Sequence, residues 1–103
     1  VVPPHFFAEV LSSLRRKVFA HQLSEAEEDT AVGFFFSLLV RRESPPELQP
    51  LAWEVAKQHN LPTTYDAEYM ALARLLDCDF YTADGRFVRS LGNAKPDWVR
   101  FIA

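Results

Sequence analysis

Three acids in this 103-residue chain could do chemistry together: Glu9 and Asp84, which stand after strand-like segments, and Asp66, which is placed differently, at a helix start. In open α/β sheets, ligands bind beyond the carboxyl ends of the strands. Asp84 directly follows the apolar run Phe80 to Ala83, which reads as a strand. Glu9 lies about two turns into a helix that follows Val1-Val2, and Asp66 lies in the first turn of a helix running from Thr64 to Leu76. If those helices start at one edge of the sheet, the three carboxylates converge. Each acid also has an ordinary reading. Asp66 suits the positive end of a helix dipole, Asp84 is a good N-cap for the segment after it, and Glu9 is a normal solvated helix residue. Residue type and spacing alone leave both readings open.

The elements that would position these acids follow from periodicity and breakers. Val1-Val2 before Pro3-Pro4 reads as a strand end leading into a helix, with proline tolerated in the first turn. From His5 to about His21, Phe7, Val10, Leu11, Leu14 and Val18 recur at helical spacing. Ser24-Glu25-Ala26-Glu27 is a capping-box pattern that opens a second helix to about Leu39. Phe34-Phe35-Phe36 spreads apolar surface around that helix, which predicts burial on more than one side or an interface. Val40 to Ser44 is a short edge strand or loop stopped by Pro45-Pro46. Glu47 to His59 is a helix with Leu48, Leu51, Ala52, Val55 and Ala56 inward. Asn60-Leu61-Pro62 ends it, and Thr63 or Thr64 caps the next helix, whose stripe is Tyr65, Tyr69, Leu72 and Leu76. After the strand Asp79 to Ala83, Asp84-Gly85 turns into a brief helix, Arg86 to Leu91. Gly92-Asn93 breaks it, and Trp98 to Ile102 is a last strand. Helices alternating with short apolar strands predict a three-layer α/β sandwich around a central parallel sheet.

Composition sets the frame. The length suits one domain, residues 1–103, and at 49% hydrophobic with nine Phe and two Trp the chain can bury a core. No apolar run approaches the roughly 20 residues of a membrane span, and no basic-then-apolar leader opens the chain. The single cysteine, Cys78, cannot form an internal disulfide, which fits a reducing cytoplasm. It adjoins the Phe80-Tyr81 strand and reads as structural rather than reactive. The net charge of −3 gives no general case for nucleic acid, although Arg15-Arg16-Lys17, Arg41-Arg42, Arg86 with Arg89, and Lys95 cluster locally. His5, His21 and His59 lie on separate segments without paired spacing, so a transition-metal site is weakly supported. The acidic run Glu25, Glu27, Glu28 and Asp29 is a dipole-favourable first turn. A flavodoxin-like reading lacks a Gly-rich phosphate loop, and the chain has only three glycines.

The wording around the acids is more specific than their spacing. Thr-Thr-Tyr-Asp-Ala-Glu-Tyr-Met-Ala-Leu-Ala (Thr63 to Ala73) is followed by Cys-Asp-Phe-Tyr-Thr-Ala-Asp-Gly-Arg-Phe (Cys78 to Phe87). Upstream stands Pro-Pro-His-Phe-Phe-Ala-Glu-Val-Leu-Ser-Ser-Leu (Pro3 to Leu14). In this order and spacing, covering essentially the whole chain, the segments resemble PIN-domain proteins, in particular VapC-type toxins of toxin–antitoxin pairs.

The resemblance implies a Mg²⁺- or Mn²⁺-dependent endoribonuclease with Glu9, Asp66 and Asp84 as its catalytic, metal-binding set. Such hard cations take oxygen ligands and keep several waters. Thr82 would support the set by hydrogen bonding, and Arg86 is a candidate RNA phosphate contact whose alternative is a solvated surface arginine. The resemblance also implies an RNA substrate, a small antitoxin protein as partner, a homodimer, and a cytoplasmic location without membrane association. The chain departs from the family at its start. The apolar strand ending in Asp, and the helix after it, that usually open a PIN domain have no counterpart here, so the expectation is an N-terminally truncated PIN-like domain. A catalytically inactive module that binds RNA or protein is the competing expectation.

Overall fold

The computed structural model describes residues 1–102. They contain five α-helices, one short 3-10 turn and a two-stranded parallel sheet, an α/β chain, and they divide into two compact units, Val1–Glu43 and the residues from Ser44 onward.

In the first unit, α1 (Phe6–Phe19) packs against α2 (Glu25–Ser37). Phe35 is the fully buried residue of α2, and its ring lies 5.8 and 5.4 Å from those of Phe6 and Phe7. The Arg42 guanidinium sits 5.1 Å over the Phe7 ring. The capping box forms as the sequence predicts: the Glu27 N–H donates to Ser24 Oγ at 3.1 Å, and the Ser24 N–H donates to Glu27 Oε1 at 3.2 Å. Arg15 forks onto both oxygens of Glu28 at 3.0 and 3.1 Å, tying α1 to the start of α2. Val2 makes a single parallel bridge to Arg42, with the Val2 N–H donating to the Arg41 carbonyl and the Glu43 N–H to that of Val2. The strand expected at Val1-Val2 and the edge segment expected at Val40 to Ser44 are therefore partners, each reduced to one bridge residue.

In the second unit, α3 (Leu48–Gln58) lies against α4 (Tyr65–Leu75). The inward stripe of α3 is the predicted one, with Leu48, Ala52, Val55 and Ala56 buried and Leu51 packed beside them. That of α4 is not. Ala67, Met70, Ala71, Leu72 and Ala73 are buried, whereas Tyr65 and Leu76 are exposed. Both helices bury alanines in the shared core, Ala52 and Ala56 of α3 and Ala67 and Ala71 of α4, and small side chains let two helix backbones come close, a packing mode invisible to a search for large apolar residues.

A four-residue link, 76–79, leads from α4 into β1 (Phe80–Thr82). Asp84 and α5 (Gly85–Leu91) follow, then the 3-10 turn Gly92–Ala94, then β2 (Val99–Phe101). The strands pair in parallel with Phe80 opposite Val99 and Thr82 opposite Phe101. Parallel neighbours need a crossover of about a dozen residues or more, and the segment through α5 supplies it. Phe80 stacks on Tyr69 of α4 at 5.4 Å and tilts against Phe87 of α5 at 6.2 Å, so β1 is held from both neighbouring helices.

Three helices end alike. His21, Asn60 and Asp77 each adopt a positive φ, at 59°, 52° and 52°. After α3 the Asn60 N–H donates to the Lys57 carbonyl and the Leu61 N–H to that of Ala56. The corresponding pairs close α1 and α4. These are Schellman motifs made without glycine. No helix among the described residues is long and apolar enough to cross a membrane.

Candidate functional site

Asp84 is the acid whose local geometry is most fully defined. It occupies the N-cap of α5 in an extended conformation, and its Oδ1 accepts the Phe87 N–H at 3.1 Å. Its own N–H donates to Thr82 Oγ1 at 3.1 Å. The Thr82 hydroxyl thus bonds to the Asp84 backbone and to none of the three carboxylates. The N-cap reading of Asp84 is realised too, and it does not exclude a functional one. The cap orients the carboxylate at the carboxyl end of β1, and Oδ2 carries no hydrogen bond among the described residues.

At Gly85 two neighbouring side chains come close. A Cβ there would stand 3.0 Å from Nη1 of Arg89 and 3.4 Å from the Phe101 ring. Arg86 is exposed in the first turn of α5.

Asp66 is half-buried in the first turn of α4, as predicted. A helix that returns into a strand through a four-residue link runs antiparallel to it. The start of α4, with Asp66, and the end of β1, with Asp84, therefore lie toward one end of this unit. Thr64 stands at the N-cap position of α4 but in a helical conformation, without a side-chain capping bond, so the cap expected of it does not form.

Glu9 belongs to the first unit. It is in the first turn of α1 rather than two turns in, its side chain is 48% exposed, and its Oε1 lies 3.1 Å from Nε2 of His5 one turn earlier. That i,i+4 spacing is visible in the sequence, and the contact pairs His5 with a carboxylate on its own helix.

The sequence reading also passed over Glu68, which is 7% exposed on α4 and accepts a 2.7 Å hydrogen bond from the Gln49 amide of α3. A glutamate beside Asp66 on a helix start reads as solvated. Only the tertiary contact buries it.

At the opposite end of β1, Asp79 Oδ2 accepts from Nε of Arg100 at 2.6 Å. The hydrogen bond and the charge of Asp79 hold the Arg100 guanidinium above its ordinary range. Cys78 is exposed beside this pair, at the mouth of a cavity of about 240 Å³ that Arg74, Asp77 and Trp98 also line. It is not packed under the strand. Lys95, one of the clustered cations, is committed to backbone carbonyls, 2.8 Å from that of Val99 and 3.3 Å from that of Pro96.

Among the described residues, neither unit gathers three His, Cys, Asp or Glu side chains into a group that could hold a metal. The donor chemistry nevertheless suits a hard cation. Asp66 and Asp84 offer oxygen only, and Mg²⁺ is commonly held by one or two carboxylates while keeping several waters.

Comparison with known proteins adds the family. The chain is 35% identical over 98 residues to Ribonuclease VapC12 of Mycobacterium tuberculosis, across 94% of this chain and 74% of that protein. The chain belongs to the VapC ribonuclease family. Two further members agree. Ribonuclease VapC1 of Mycobacterium tuberculosis is 36% identical over 91 residues, 86% of this chain and 66% of its own length. VapC ribonuclease Mb0985 of Mycobacterium bovis is 37% identical over 84 residues, 81% of this chain and 64% of its own. The VapC12 match leaves out only about six residues of this chain, so Glu9, Asp66 and Asp84 all fall within the matched span. No family model and no solved structure matches the chain.

Proposed function

We propose that this chain is a metal-dependent endoribonuclease of the toxin–antitoxin type, with Glu9, Asp66 and Asp84 as its metal-binding carboxylates. The observation that carries the reading is the match to VapC ribonucleases across nearly the whole chain. The oriented carboxylate of Asp84 at the end of β1 supports it. Bound Mg²⁺ or Mn²⁺ would supply an activated water for attack on a phosphodiester and would neutralise charge on the leaving oxygen. The chain's own contribution is positioning. The Phe87 N–H fixes the Asp84 carboxylate, Thr82 fixes the turn that carries it, and exposed Arg86 offers a cation to a phosphate of the RNA. Glu9 is the third acid on the strength of the family resemblance.

The same reading includes a small antitoxin protein as partner, a homodimer, a cytoplasmic setting, and a PIN-like three-layer sandwich over residues 1–103. The parallel β1–β2 pair with its helical crossover supports that architecture as a fragment of the larger sheet.

The test is RNA cleavage with added Mg²⁺ or Mn²⁺, with chelator, and with Asp84→Asn, alongside calorimetric titration with Mn²⁺. Cleavage should require the metal. Asp84→Asn should lower it by more than the roughly 10- to 100-fold that loss of an outer-shell partner costs a metal site. Full activity in Asp84→Asn would remove Asp84 from the site. A folded protein that neither binds Mn²⁺ nor cuts RNA would be the inactive binding module instead.

A further inference from the structure

The start of α4 borders a feature that the carboxylates do not use. A cavity of about 260 Å³ opens between the end of α3 and the start of α4, with Trp53, Lys57, Asn60, Leu61, Thr63 and Thr64 among its lining residues. That is below the roughly 300–1,000 Å³ of pockets for drug-sized ligands, a size suited to a single flat ring system. Its walls are of two kinds. Trp53 and Leu61 are apolar, whereas Lys57, Asn60, Thr63 and Thr64 bring an ammonium, an amide and two hydroxyls.

Trp53 is 60% exposed, although tryptophan is on average a highly buried residue. Lys57 follows it by four positions on α3, so both stand on one helix face. The ion-pair contact of Lys57, to Glu54, is 4.0 Å long between exposed side chains, which leaves the ammonium available to another anion. Asn60 is held in the left-handed region by the Schellman motif, so the backbone fixes its place in the cavity wall. Thr64 directly precedes α4, and Asp66 stands two residues further on.

We infer that this cavity is a nucleobase subsite: an unpaired base of the RNA stacks on Trp53, Lys57 meets the adjoining phosphate, and Asn60, Thr63 and Thr64 face the polar edge of the base. The inference rests on the ribonuclease reading above. Unpaired RNA bases are commonly bound by stacking on aromatic side chains while their edges are hydrogen-bonded. Every base has a face to stack, so Trp53 supplies affinity and the polar wall supplies preference. The subsite adjoins the first turn that carries Asp66, which puts a bound base beside the carboxylate edge.

The test has a binding arm and a cleavage arm. In the first, the chain is titrated in chelator into an end-labelled single-stranded oligoribonucleotide, with the label's anisotropy as the signal, and the result is compared with the same oligonucleotide carrying one abasic position. RNA should also quench the tryptophan emission of the parent chain. Trp53→Ala should weaken binding by about 5- to 100-fold, the effect of losing one stacked base, while Trp53→Phe retains most of the affinity. In the cleavage arm, Trp53→Ala should raise KM with little change in kcat. Asn60→Gly, which keeps the left-handed backbone and removes the amide, should broaden the preferred cleavage sequence. Wild-type affinity and KM in Trp53→Ala, with a wild-type melting curve, would overturn the subsite. The binding arm uses uncut RNA without metal, so it reads the subsite even if the chain does not cleave. Conversely, cleavage that ignores Trp53 leaves the nuclease reading standing.

Discussion

At the scale of single residues, Asp84 combines an observed role with a proposed one, and one substitution can separate them. Its carboxylate caps α5 at the carboxyl end of β1, and it is proposed as a metal ligand. Asparagine caps a helix about as well as aspartate, whereas alanine does not, at a cost of about 1 kcal/mol. Asp84→Asn should therefore melt within a degree or two of the parent and lose metal-stimulated cleavage, while Asp84→Ala should lose both cleavage and about 1 kcal/mol of stability in denaturant unfolding. If Asp84→Asn also unfolds early, the charge itself is structural and the separation fails. Glu68 makes the complementary case. It is buried, it holds the Gln49 amide at 2.7 Å, and nothing in the proposed chemistry uses it. Glu68→Ala should lower unfolding stability by about 1–2 kcal/mol and leave kcat unchanged. A kcat loss in folded Glu68→Ala would promote it to the site.

At the scale of elements, the sequence was legible where breakers and large apolar residues wrote the structure. The Ser24 capping box, the Asn60-Leu61-Pro62 stop and the Asp84-Gly85 turn all formed where their chemistry placed them. The inner face of α4 was read only in part: Leu72 is buried as expected, but Ala67 and Ala71 join the core without bulk, while Tyr65, which looks like core, is exposed. Of the candidate site, Asp84 was legible because strand end and N-cap are both local. The pairing of Glu9 with His5 is local as well, at i,i+4 spacing, whereas Glu68 depends on a helix nineteen positions away. The Schellman ends carry a testable cost. Asparagine and aspartate tolerate the left-handed region better than histidine does, and a side chain there costs roughly 1–2 kcal/mol relative to glycine. His21 ends α1 at φ 59°, so His21→Gly should stabilise the chain by about 0.5–1 kcal/mol after the entropy glycine adds to the unfolded state. A lower denaturation midpoint for His21→Gly would mean that the imidazole contributes more than its strain costs.

At the scale of the whole molecule, the question is what covers the apolar surface of α2. This helix has no single apolar side. Phe35 is buried against Phe6 and Phe7, whereas Phe34 and Phe36, on either side of it, are 68% and 60% exposed, and Leu39 beyond the helix end is fully exposed. Phe34 and Phe36 stand on different sides of the helix, and several large apolar side chains left exposed on one element are a mark of an interaction surface, which is the ground for the proposed homodimer. In a two-fold interface each protomer contributes the same patch, so every substitution acts twice. At about 1.5–3 kcal/mol per buried Phe side chain, replacing Phe34 and Phe36 by lysine should weaken self-association by at least 100-fold, roughly 2.7 kcal/mol. The capping box and Phe35 stay in place, so α2 should remain helical by circular dichroism. Sedimentation velocity at micromolar concentrations should then show the parent as a dimer and the double variant as a monomer. A monomeric parent would release this surface for a different partner, and a double variant that still dimerises would place the interface elsewhere on the chain.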